Sequence, residues 1–508
     1  MTEQATPTFA VDLADVQAVV PSGLGDLPFS SYVFLRFEDA QGARAWLTSL
    51  RPVVTRGSEV RAPAGQARQS LAAAVNVGLT FDGLGALGLS EPALRSFPEA
   101  FRDGMASPRR VHILGDSGRS APAEWEVGGT RQGAMHAVLV LHAESEVALA
   151  LLLEKERERI AETGGVSEIP GTAQEGYRPQ NGKEPFGFRD GISQPRVAGF
   201  GGGDRSGLAT GEFLLGYPNH YQFVPAGPLV PRGEDPDGLL PDDPNPHHGG
   251  AYRDLGRNGS YLVYRKLQQD VAGFWRLLLQ AAERLSGRPD PDHAVYLASK
   301  LVGRWPSGAP ITQAREADEP LRSKENAFGY ARDDATGQGC PLGAHIRRMN
   351  PRDHVPPAGP ESSRSISASH RLLRRGRVYG APLFDQAILD GPLDFARRIA
   401  LASLEDDGQA RGIHFLAVCA NLERQFEFVQ QTWANNPHFG GLVDNRDPLV
   451  GVGDPPDVHP DSMTIPGEQL RVRVGPLPRL VTVRGGGYFF LPSLSALRHL
   501  ARPLLPSR

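Results

Sequence analysis

The chain has 508 residues, of which 40% are hydrophobic, and it carries a formal net charge of -4. This length exceeds what one hydrophobic core usually supports, so two domains are expected. The near-neutral charge, without a block of Lys and Arg, argues against nucleic-acid binding. Two cysteines are too few for a disulfide framework, no apolar run reaches a membrane span, and no basic residue precedes Arg36 as a secretory signal would require. We therefore expect a soluble cytoplasmic protein with no membrane or nucleic-acid partner.

The first half of the chain shows the alternation of strands and helices that an α+β fold requires. Strand composition covers residues 31–38, roughly 74–81 and 135–141, and helix-forming residues follow the first and the third of these segments. The second helix, 144–162, is rich in Ala, Leu, Glu and Arg and contains neither Gly nor Pro. The order strand, helix, strand, strand, helix predicts a ferredoxin-like unit.

The second half repeats this order in outline. A strand over 260–265 is followed by a helix that Asp270 caps and whose apolar residues share one face. Later elements are predicted strands over 371–379, 412–419 and 480–490, with a helix that opens at Asn421. The predicted organisation is an N-terminal extension over 1–29, one domain over 30–210 and a second over 211–508.

An acidic insert over 232–250 lies early in the second domain. Its nineteen residues include five carboxylates and four prolines, a composition that disfavours packed structure. The insert is therefore predicted to be a solvated loop.

Two short motifs carry residues suited to chemistry. Phe186-Gly-Phe-Arg-Asp-Gly191 sets Asp190 on a turn bracketed by glycines, and Cys340-Pro-Leu-Gly-Ala-His-Ile-Arg-Arg348 carries His345 followed by two arginines. A carboxylate, an imidazole and a reserve of arginine are the groups needed to split a peroxide over an iron porphyrin. The residues alone leave open whether Asp190 is an ordinary turn residue, and they do not favour His345 over His354 or His370 as a ligand.

These motifs resemble those of a known family. Phe186–Gly191 is similar to the GxxDG signature of the dye-decolorizing peroxidases, and Ala344–Arg347 is similar to the segment that carries their proximal haem ligand. Further segments resemble the longer-chain branch of that family, in order along the chain: Glu212–Asn219, Asn258–Val271, Leu301–Pro310, Arg371–Gly380, Glu423–Trp433 and Arg484–Leu494.

The resemblance implies a fold and a cofactor. We expect two ferredoxin-like domains with antiparallel β-sheets flanked by helices, of the dimeric α+β barrel type, and one haem b per chain held mainly by the C-terminal half. The implied reactants are hydrogen peroxide and an organic reductant such as a dye or a phenolic compound, in a monomer or a homodimer.

The resemblance also implies residue roles. His345 matches the proximal iron ligand, Asp190 the distal acid–base residue and Arg374 the distal arginine. Ile413 and Phe415 match positions that wall the distal haem face, although His414 between them departs from the usual apolar pattern. An Asp base beside a cation should keep a low pKa, so an acidic optimum for dye oxidation is expected.

Three supporting roles are predicted on the same basis. Asp447 is the candidate carboxylate behind the proximal histidine, because such a partner raises the electron donation of the ligand. Haem propionates need cations, and among Arg347, Arg348 and Arg374 we favour Arg347. Tyr379 is the candidate surface residue through which electrons from bulky dyes reach the haem.

Three other functions compete with this interpretation. Gly83-Leu-Gly-Ala-Leu-Gly88 matches a dinucleotide-binding pattern, but the surrounding order of elements is not a parallel βαβ repeat. A haem-handling protein, a carrier or an iron-releasing protein, would need His345 and an apolar pocket but not Asp190. The cargo of a protein shell would need a detachable targeting tail, for which residues 502–508 give little support.

Overall fold

The computed structural model of the protein describes residues 11–61, 70–201, 207–384, 405–452, 461–467 and 470–503. Its strands are β1 Phe29–Phe37, β2 Ala73–Leu79, β3 Ala137–Ala143, β4 Val166–Glu168, β5 Gln174–Tyr177, β6 Leu229–Pro231, β7 Tyr252–Asp254, β8 Ser260–Gln269, β9 Leu373–Arg374, β10 Arg377–Tyr379, β11 Gly412–Cys419, β12 Asp461–Ile465, β13 Val472–Leu477 and β14 Val481–Leu491. Five of the seven predicted strands agree with these bounds within two residues, whereas the strand predicted over 260–265 extends to Gln269 and the one over 371–379 is broken in two.

The helices of the described residues are mostly short. They are α1 Ala40–Leu50, α2 Gly57–Val60, α3 Phe81–Ala86, α4 Glu91–Arg95, α5 Glu99–Asp103, α6 Pro108–Leu114, α7 Glu146–Thr163, α8 Val271–Ser286, α9 Pro291–Val302, α10 Tyr330–Asp333, α11 His345–Met349, α12 Pro360–Ser369 and α13 Leu494–Leu500. The helix predicted to open at Asn421 is present and is capped by the side chain of that residue, and its turns are π-helical over Leu422–Glu427 and Val429–Ala434. No helix in the described ranges is long and apolar enough to cross a membrane.

Each half of the chain forms a ferredoxin-like sheet. In the first half the strand order is β5-β1-β3-β2, and in the second it is β14-β8-β11-β10. All neighbouring strands in these sheets are antiparallel. The order therefore agrees with the predicted α+β class of two ferredoxin-like units.

The two sheets join edge to edge into one closed barrel. β2 pairs with β14 through Leu79 and Phe490, and β5 pairs with β10 through Tyr177 and Val378. A closed barrel leaves no exposed sheet edge between the halves. The domain boundary near residue 210 lies at a 3-10 turn, Thr210–Glu212, and remains a prediction.

Side chains alternate between the inside of the barrel and the helices around it. On β1, Tyr32 and Phe34 belong to the interior cluster, whereas Val33 and Leu35 pack in the cluster that includes Trp46 of α1. This alternation follows from the two-residue period of a strand. The interior is therefore a packed core rich in aromatic residues.

The N-terminal segment before β1 packs into this core. Val16, Val19 and Val20 are buried with the interior cluster, and Gln17 donates hydrogen bonds to the carbonyls of Val77 and Pro492. Over its described part, 11–28, the predicted extension thus ties strands of both halves together.

The predicted strand over 371–379 is broken into β9 and β10 at Gly376. A Cβ atom at this position would lie 2.5 Å from the carbonyl oxygen of His414, so only glycine permits this approach to β11. The break lets Arg374 and Arg377 take up separate positions along the site.

The acidic insert is more ordered than its composition predicts. The carboxylate of Asp235 accepts hydrogen bonds from the amides of Leu239 and Leu240, and both Asp235 and Leu240 are buried. Its flanks pair as β6 and β7. Acidic side chains that bond their own turn explain why the segment folds locally.

Candidate active site

A cavity of about 920 Å³ lies against the outer face of the C-terminal half of the barrel. Its floor is formed by alternate residues of three strands, which the register sets side by side: Leu267 opposite Ile413 and Val483, and Arg265 opposite Phe415. This volume is at the upper end of the ~300–1,000 Å³ typical of cofactor pockets. The cavity also receives Asp190 from the first half and His345 from the second.

One wall of the cavity, called here the Asp190 wall, consists of residues 182–194 together with Arg374. The carboxylate of Glu184 accepts hydrogen bonds from the amides of Phe186 and Phe188 and from the side chain of Gln269. Phe186 and Phe188 are buried in the core beneath the turn. The turn that carries Asp190 is therefore rigidly anchored.

The glycines of the motif have a steric role. Gly187 has φ 98° and Gly191 has φ 81°, a left-handed region that side chains disfavour. The turn between them presents Asp190 to the cavity, and 51% of the Asp190 side-chain surface is open to it. The glycine bracket read from the sequence is thus needed to aim the carboxylate.

Arg374 forms an ion pair with Asp190, and the two side-chain atoms Nη1 and Oδ1 are 2.7 Å apart. The backbone of Arg374 is fixed by Gln194, which accepts from its amide and donates to its carbonyl. The neighbouring Arg375 turns away and donates to the carbonyls of Val19 and Val20. Of the two adjacent arginines, Arg374 is therefore the one that bonds Asp190.

The electrostatic environment keeps Asp190 ionised. Burial raises the pKa of its carboxyl, but the charge of Arg374, the amide of Gly191 and the hydrogen bond from Arg374 together lower the pKa below its ordinary value. The charge of His345 acts in the same direction, so the imidazole and the carboxylate are electrostatic neighbours across the cavity.

The second wall, called here the His345 wall, consists of His345, Ile346 and Met349 with residues 449–452. His345 is the first residue of α11, and its side chain is 26% exposed toward the cavity. Its Nδ1 atom lies 3.0 Å from Oδ2 of Asp447. The other ring nitrogen, Nε2, is left to bind a ligand in the cavity.

Asp447 is itself held in place. Its side chain is fully buried, and Oδ1 accepts hydrogen bonds from the amides of Leu449 and Val450 at 2.9 Å. Burial lowers the pKa of His345, but the charge and hydrogen bond of Asp447 raise it above the ordinary value. In turn, burial raises the pKa of the Asp447 carboxyl, but the charge and hydrogen bond of His345 lower it below its ordinary value. The carboxylate–histidine unit is the arrangement that orients a metal-binding imidazole.

The structure does not place Arg347 in the cavity, contrary to its predicted role with the propionates. Arg347 is buried and donates to the side chain and carbonyl of Asp334, to the carbonyl of Cys340 and to His354. Arg348 is also buried and donates to the carbonyls of Gly343 and Trp433. Both arginines hold the segment that carries His345, and neither lines the cavity.

Several other arginines line the cavity, and two of them, Arg304 and Arg371, were not among the residues predicted from the sequence. Neither forms an ion pair with a carboxylate among the residues that the structure describes. Burial lowers the pKa of each to about 10, which marks cations short of negative partners. Both lie in segments that resemble the dye-decolorizing peroxidases, Leu301–Pro310 and Arg371–Gly380. This resemblance is the sequence signal that could have identified them.

Ile413 and Phe415 both line the cavity, and His414 does not. His414 is buried on the opposite face of β11, where its ring contacts Tyr264 and Tyr379. The polar residue that breaks the apolar pattern therefore leaves the cavity wall apolar, because successive strand residues point to opposite faces.

Tyr379 is not on the surface in this structure. It is 7% exposed, its hydroxyl is buried without a hydrogen-bond partner among the described residues, and its ring packs against His414. The predicted role as a surface contact for dyes is therefore not supported by its position.

The site as a whole combines a carboxylate-backed histidine with a carboxylate–arginine pair on one large cavity. Such a combination suits an enzyme that binds a metal cofactor through the histidine and moves protons through the acid. The closed barrel of two ferredoxin-like sheets supports both walls.

Comparison with known proteins defines the class further. No family model matches the chain. The chain is 33% identical over 487 residues to the multifunctional dye peroxidase DyP2 of an Amycolatopsis species, across 92% of this chain and 91% of that protein. It is 29% identical over 514 residues to the dye-decolorizing peroxidase msp1 of Mycetinis scorodonius, across 97% and 88% of the two chains.

Solved structures agree with these relatives. The structure of DyP2 from Amycolatopsis superimposes with a TM-score of 0.70 at 29% identity, across 96% of each chain. An ancestral D-type dye decolorizing peroxidase gives a TM-score of 0.72 at 25% identity, across 96% and 99% of the two chains.

This chain belongs to the dye-decolorizing peroxidase family. It is a peroxidase, and its substrates are accordingly a peroxide and a reductant. The family implies a haem cofactor. The dinucleotide pattern at Gly83 is part of a short helix, α3, between antiparallel strands, which is not the parallel βαβ context of that motif.

Proposed function

We propose that the protein binds one haem b per chain, with His345 as the proximal iron ligand and Asp190 as the distal acid–base residue. The observation that carries this proposal is the convergence of His345 and Asp190, 155 positions apart in the sequence, on one cavity. Each is held by a dedicated partner, Asp447 for the histidine and Arg374 for the acid.

The cavity residues fit a haem. His345 lines the cavity and its Nδ1 is engaged by Asp447, which leaves Nε2 as the ring nitrogen that can bind iron. Ile413 and Phe415 offer an apolar surface to a porphyrin ring. Arg304 and Arg371 are the cations we assign to the propionates in place of Arg347, because neither has a carboxylate partner among the residues that the structure describes.

Haem bound at His345 would supply the iron at which the O–O bond of hydrogen peroxide is cleaved. Asp190 is ionised and accepts the first proton of the peroxide, and it returns this proton to the oxygen that leaves as water. Arg374 stabilises negative charge that develops on the peroxide and keeps Asp190 in its basic form. Asp447 raises the electron donation of His345, which favours the cleavage.

Dyes and phenolic compounds are the proposed reductants. A solved dye-decolorizing peroxidase is described in complex with 2,6-dimethoxyphenol, and it is 25% identical to this chain across 97% of this chain and 100% of its own. That description supports a phenolic reductant for this chain as well.

A visible spectrum of the purified protein, before and after one equivalent of hydrogen peroxide, tests the proposal. We expect a Soret band that shifts on addition of peroxide, and no Soret band in His345→Ala. Asp190→Asn separates a peroxidase from a haem carrier, because a carrier has no use for the acid. We expect this variant to keep the Soret band and to lose its rapid response, whereas an unchanged response would favour a haem-handling role.

A further inference from the structure

We infer that Tyr264 and His414, inside the barrel, form a redox site: Tyr264 gives an electron to the peroxide-oxidised cofactor while its hydroxyl proton moves to His414. The inference rests on the proposed haem peroxidase function and adds to it a side chain that stores an oxidising equivalent within the protein.

The hydrogen bonds define which atom carries the proton. Nε2 of His414 lies 3.1 Å from the carbonyl oxygen of Glu175, and a carbonyl can only accept, so Nε2 carries a hydrogen. Nδ1 of the neutral ring is then an acceptor, and the hydroxyl of Tyr264 lies 3.0 Å from it. Tyr264 therefore donates its hydroxyl hydrogen to a base whose tautomer is fixed by the backbone.

Burial keeps both groups neutral before oxidation. Tyr264 is 1% exposed and His414 is 0% exposed. Burial lowers the pKa of His414 to about 3, and it raises the pKa of Tyr264 well above its ordinary value. Removing an electron from a phenol makes its hydroxyl a strong acid, so the proton moves to the nearby imidazole only when Tyr264 is oxidised.

The pair lies directly behind the floor of the active-site cavity. Arg265 and Phe415, the next residues along β8 and β11, line the cavity, while Tyr264 and His414 point to the opposite face of the same sheet. Only the thickness of one sheet separates the redox pair from the cofactor cavity. No surface aromatic residue is needed for this transfer.

In the cluster of rings that contact His414, the hydroxyls of the other two tyrosines bond no base among the described residues. The ring of Tyr32 lies 5.0 Å from that of His414, but its hydroxyl bonds the hydroxyl of Ser30, which is not a base. The ring of Tyr379 lies 4.7 Å from that of His414, yet its hydroxyl has no partner among the described residues. Tyr264 is thus the tyrosine of this cluster that can lose its proton.

The exchange balances in one electron and one proton. Tyr264 loses one electron, which the oxidised haem would accept, and becomes a neutral radical while its proton passes from Oη to Nδ1 of His414. When an external reductant supplies an electron to Tyr264, the proton returns to Oη and the hydrogen bond is restored.

Freeze-quench electron paramagnetic resonance tests this inference. The haem-loaded protein, produced with ring-deuterated tyrosine in a parallel sample, is mixed with hydrogen peroxide without a reductant. We expect a radical signal that narrows with the deuterated tyrosine and is absent in Tyr264→Phe. His414→Asn keeps an acceptor but removes the base, so we expect formation of the radical to slow by about 100-fold.

Tyr32→Phe is the matched control, since it removes an equally buried hydroxyl that has no base. We expect it to keep the parent signal. The inference is overturned if Tyr264→Phe keeps the signal, or if Tyr32→Phe abolishes it equally, in a protein whose Soret band still responds to peroxide. A parent protein without any Soret response overturns the proposed function first, and the redox site with it.

Discussion

The two walls of the cavity each present a carboxylate, and these carboxylates are held in contrasting ways. On the His345 wall, Asp447 is fully buried and accepts two backbone amides in addition to the imidazole. On the Asp190 wall, about half of the acid side chain is open to the cavity, and its ion-pair partner is Arg374. One carboxylate is sealed in the protein, and the other can reach a molecule in the cavity.

This contrast explains how one fold assigns two roles to the same chemical group. A sealed carboxylate cannot exchange protons with a substrate, so Asp447 acts by orienting His345 and increasing its electron donation. An open carboxylate beside a cation stays ionised and can still accept a proton from a bound molecule. The two carboxylates therefore differ in how accessible they are to a molecule in the cavity more than in their charge.

The largest effect is expected at the imidazole. His345→Ala removes the proposed iron ligand, so we expect the purified variant to lose its Soret band. His370→Ala is the matched control, because His370 also lines the cavity but stacks on Phe428 and bonds the carbonyl of Arg424. If His370→Ala loses haem and His345→Ala retains it, then His370 binds the iron and the assignment of His345 is contradicted.

Asp190→Asn should leave haem bound and slow the reaction with peroxide by about 10²–10⁴-fold, since positioned acid–base groups contribute on this scale. Stopped-flow absorbance at the Soret band measures this rate. Asp190→Glu, which keeps a carboxylate, should recover part of it. A rate within a few-fold of the parent in Asp190→Asn would show that another group moves the proton.

Arg374→Gln removes the cation that lowers the pKa of Asp190. We expect the rate with peroxide to fall by about 10²-fold, in the range found for loss of one stabilising donor. Arg375→Gln is the control, because that guanidinium bonds backbone carbonyls of the N-terminal segment. Equal losses in the two variants would point to a structural role for this segment.

Asp447→Asn should weaken retention of haem by about 10–100-fold, the usual effect of losing the hydrogen-bonded partner of a metal ligand. The reduction potential of the iron should also rise, because an amide donates less electron density through His345. Haem transfer to an acceptor protein and a potentiometric titration measure the two effects. An unchanged potential would mean that Asp447 only packs behind the histidine.

The smallest expected effect is a shift in the pH dependence of the reaction with peroxide. The pKa of Asp190 lies below its ordinary 3.8, so the base stays ionised above that pH and is lost only as the pH falls through the lowered pKa. Reaction with peroxide should therefore persist into acid, and its acidic limb should move to higher pH in Arg374→Gln. A parent limb near pH 6 to 7 with haem intact would contradict the assignment of Asp190.

The two residues predicted from short sequence motifs line one cavity, whereas several of the residues predicted around them do not. Asp190 and His345 stand in short, local patterns, since a glycine-bracketed turn and a helix start depend on neighbours in the chain. Arg347 was favoured for the propionates, but its side chain is held away from the cavity by Asp334 and Cys340, through contacts that no local pattern reveals. The exposure of Tyr379 was misjudged for the same reason.

The fold shows a similar limit. Strand and helix order predicted two ferredoxin-like units, but closure of the barrel depends on one ladder pair at each seam, Leu79 with Phe490 and Tyr177 with Val378. Such pairs join residues hundreds of positions apart and leave no periodic signal. Likewise, the sequence suggested that His414 interrupts the apolar cavity wall, whereas the alternation of side chains along the strand places it inside the barrel.

A crystal structure of the haem-loaded protein with cyanide bound is the most direct test of the central claim, that the two walls hold the iron between them. We predict an iron bond to Nε2 of His345 and a cyanide on the opposite haem face, within hydrogen-bonding distance of Asp190 or Arg374. An iron bound by His370, or a cyanide on the face away from Asp190, would contradict it.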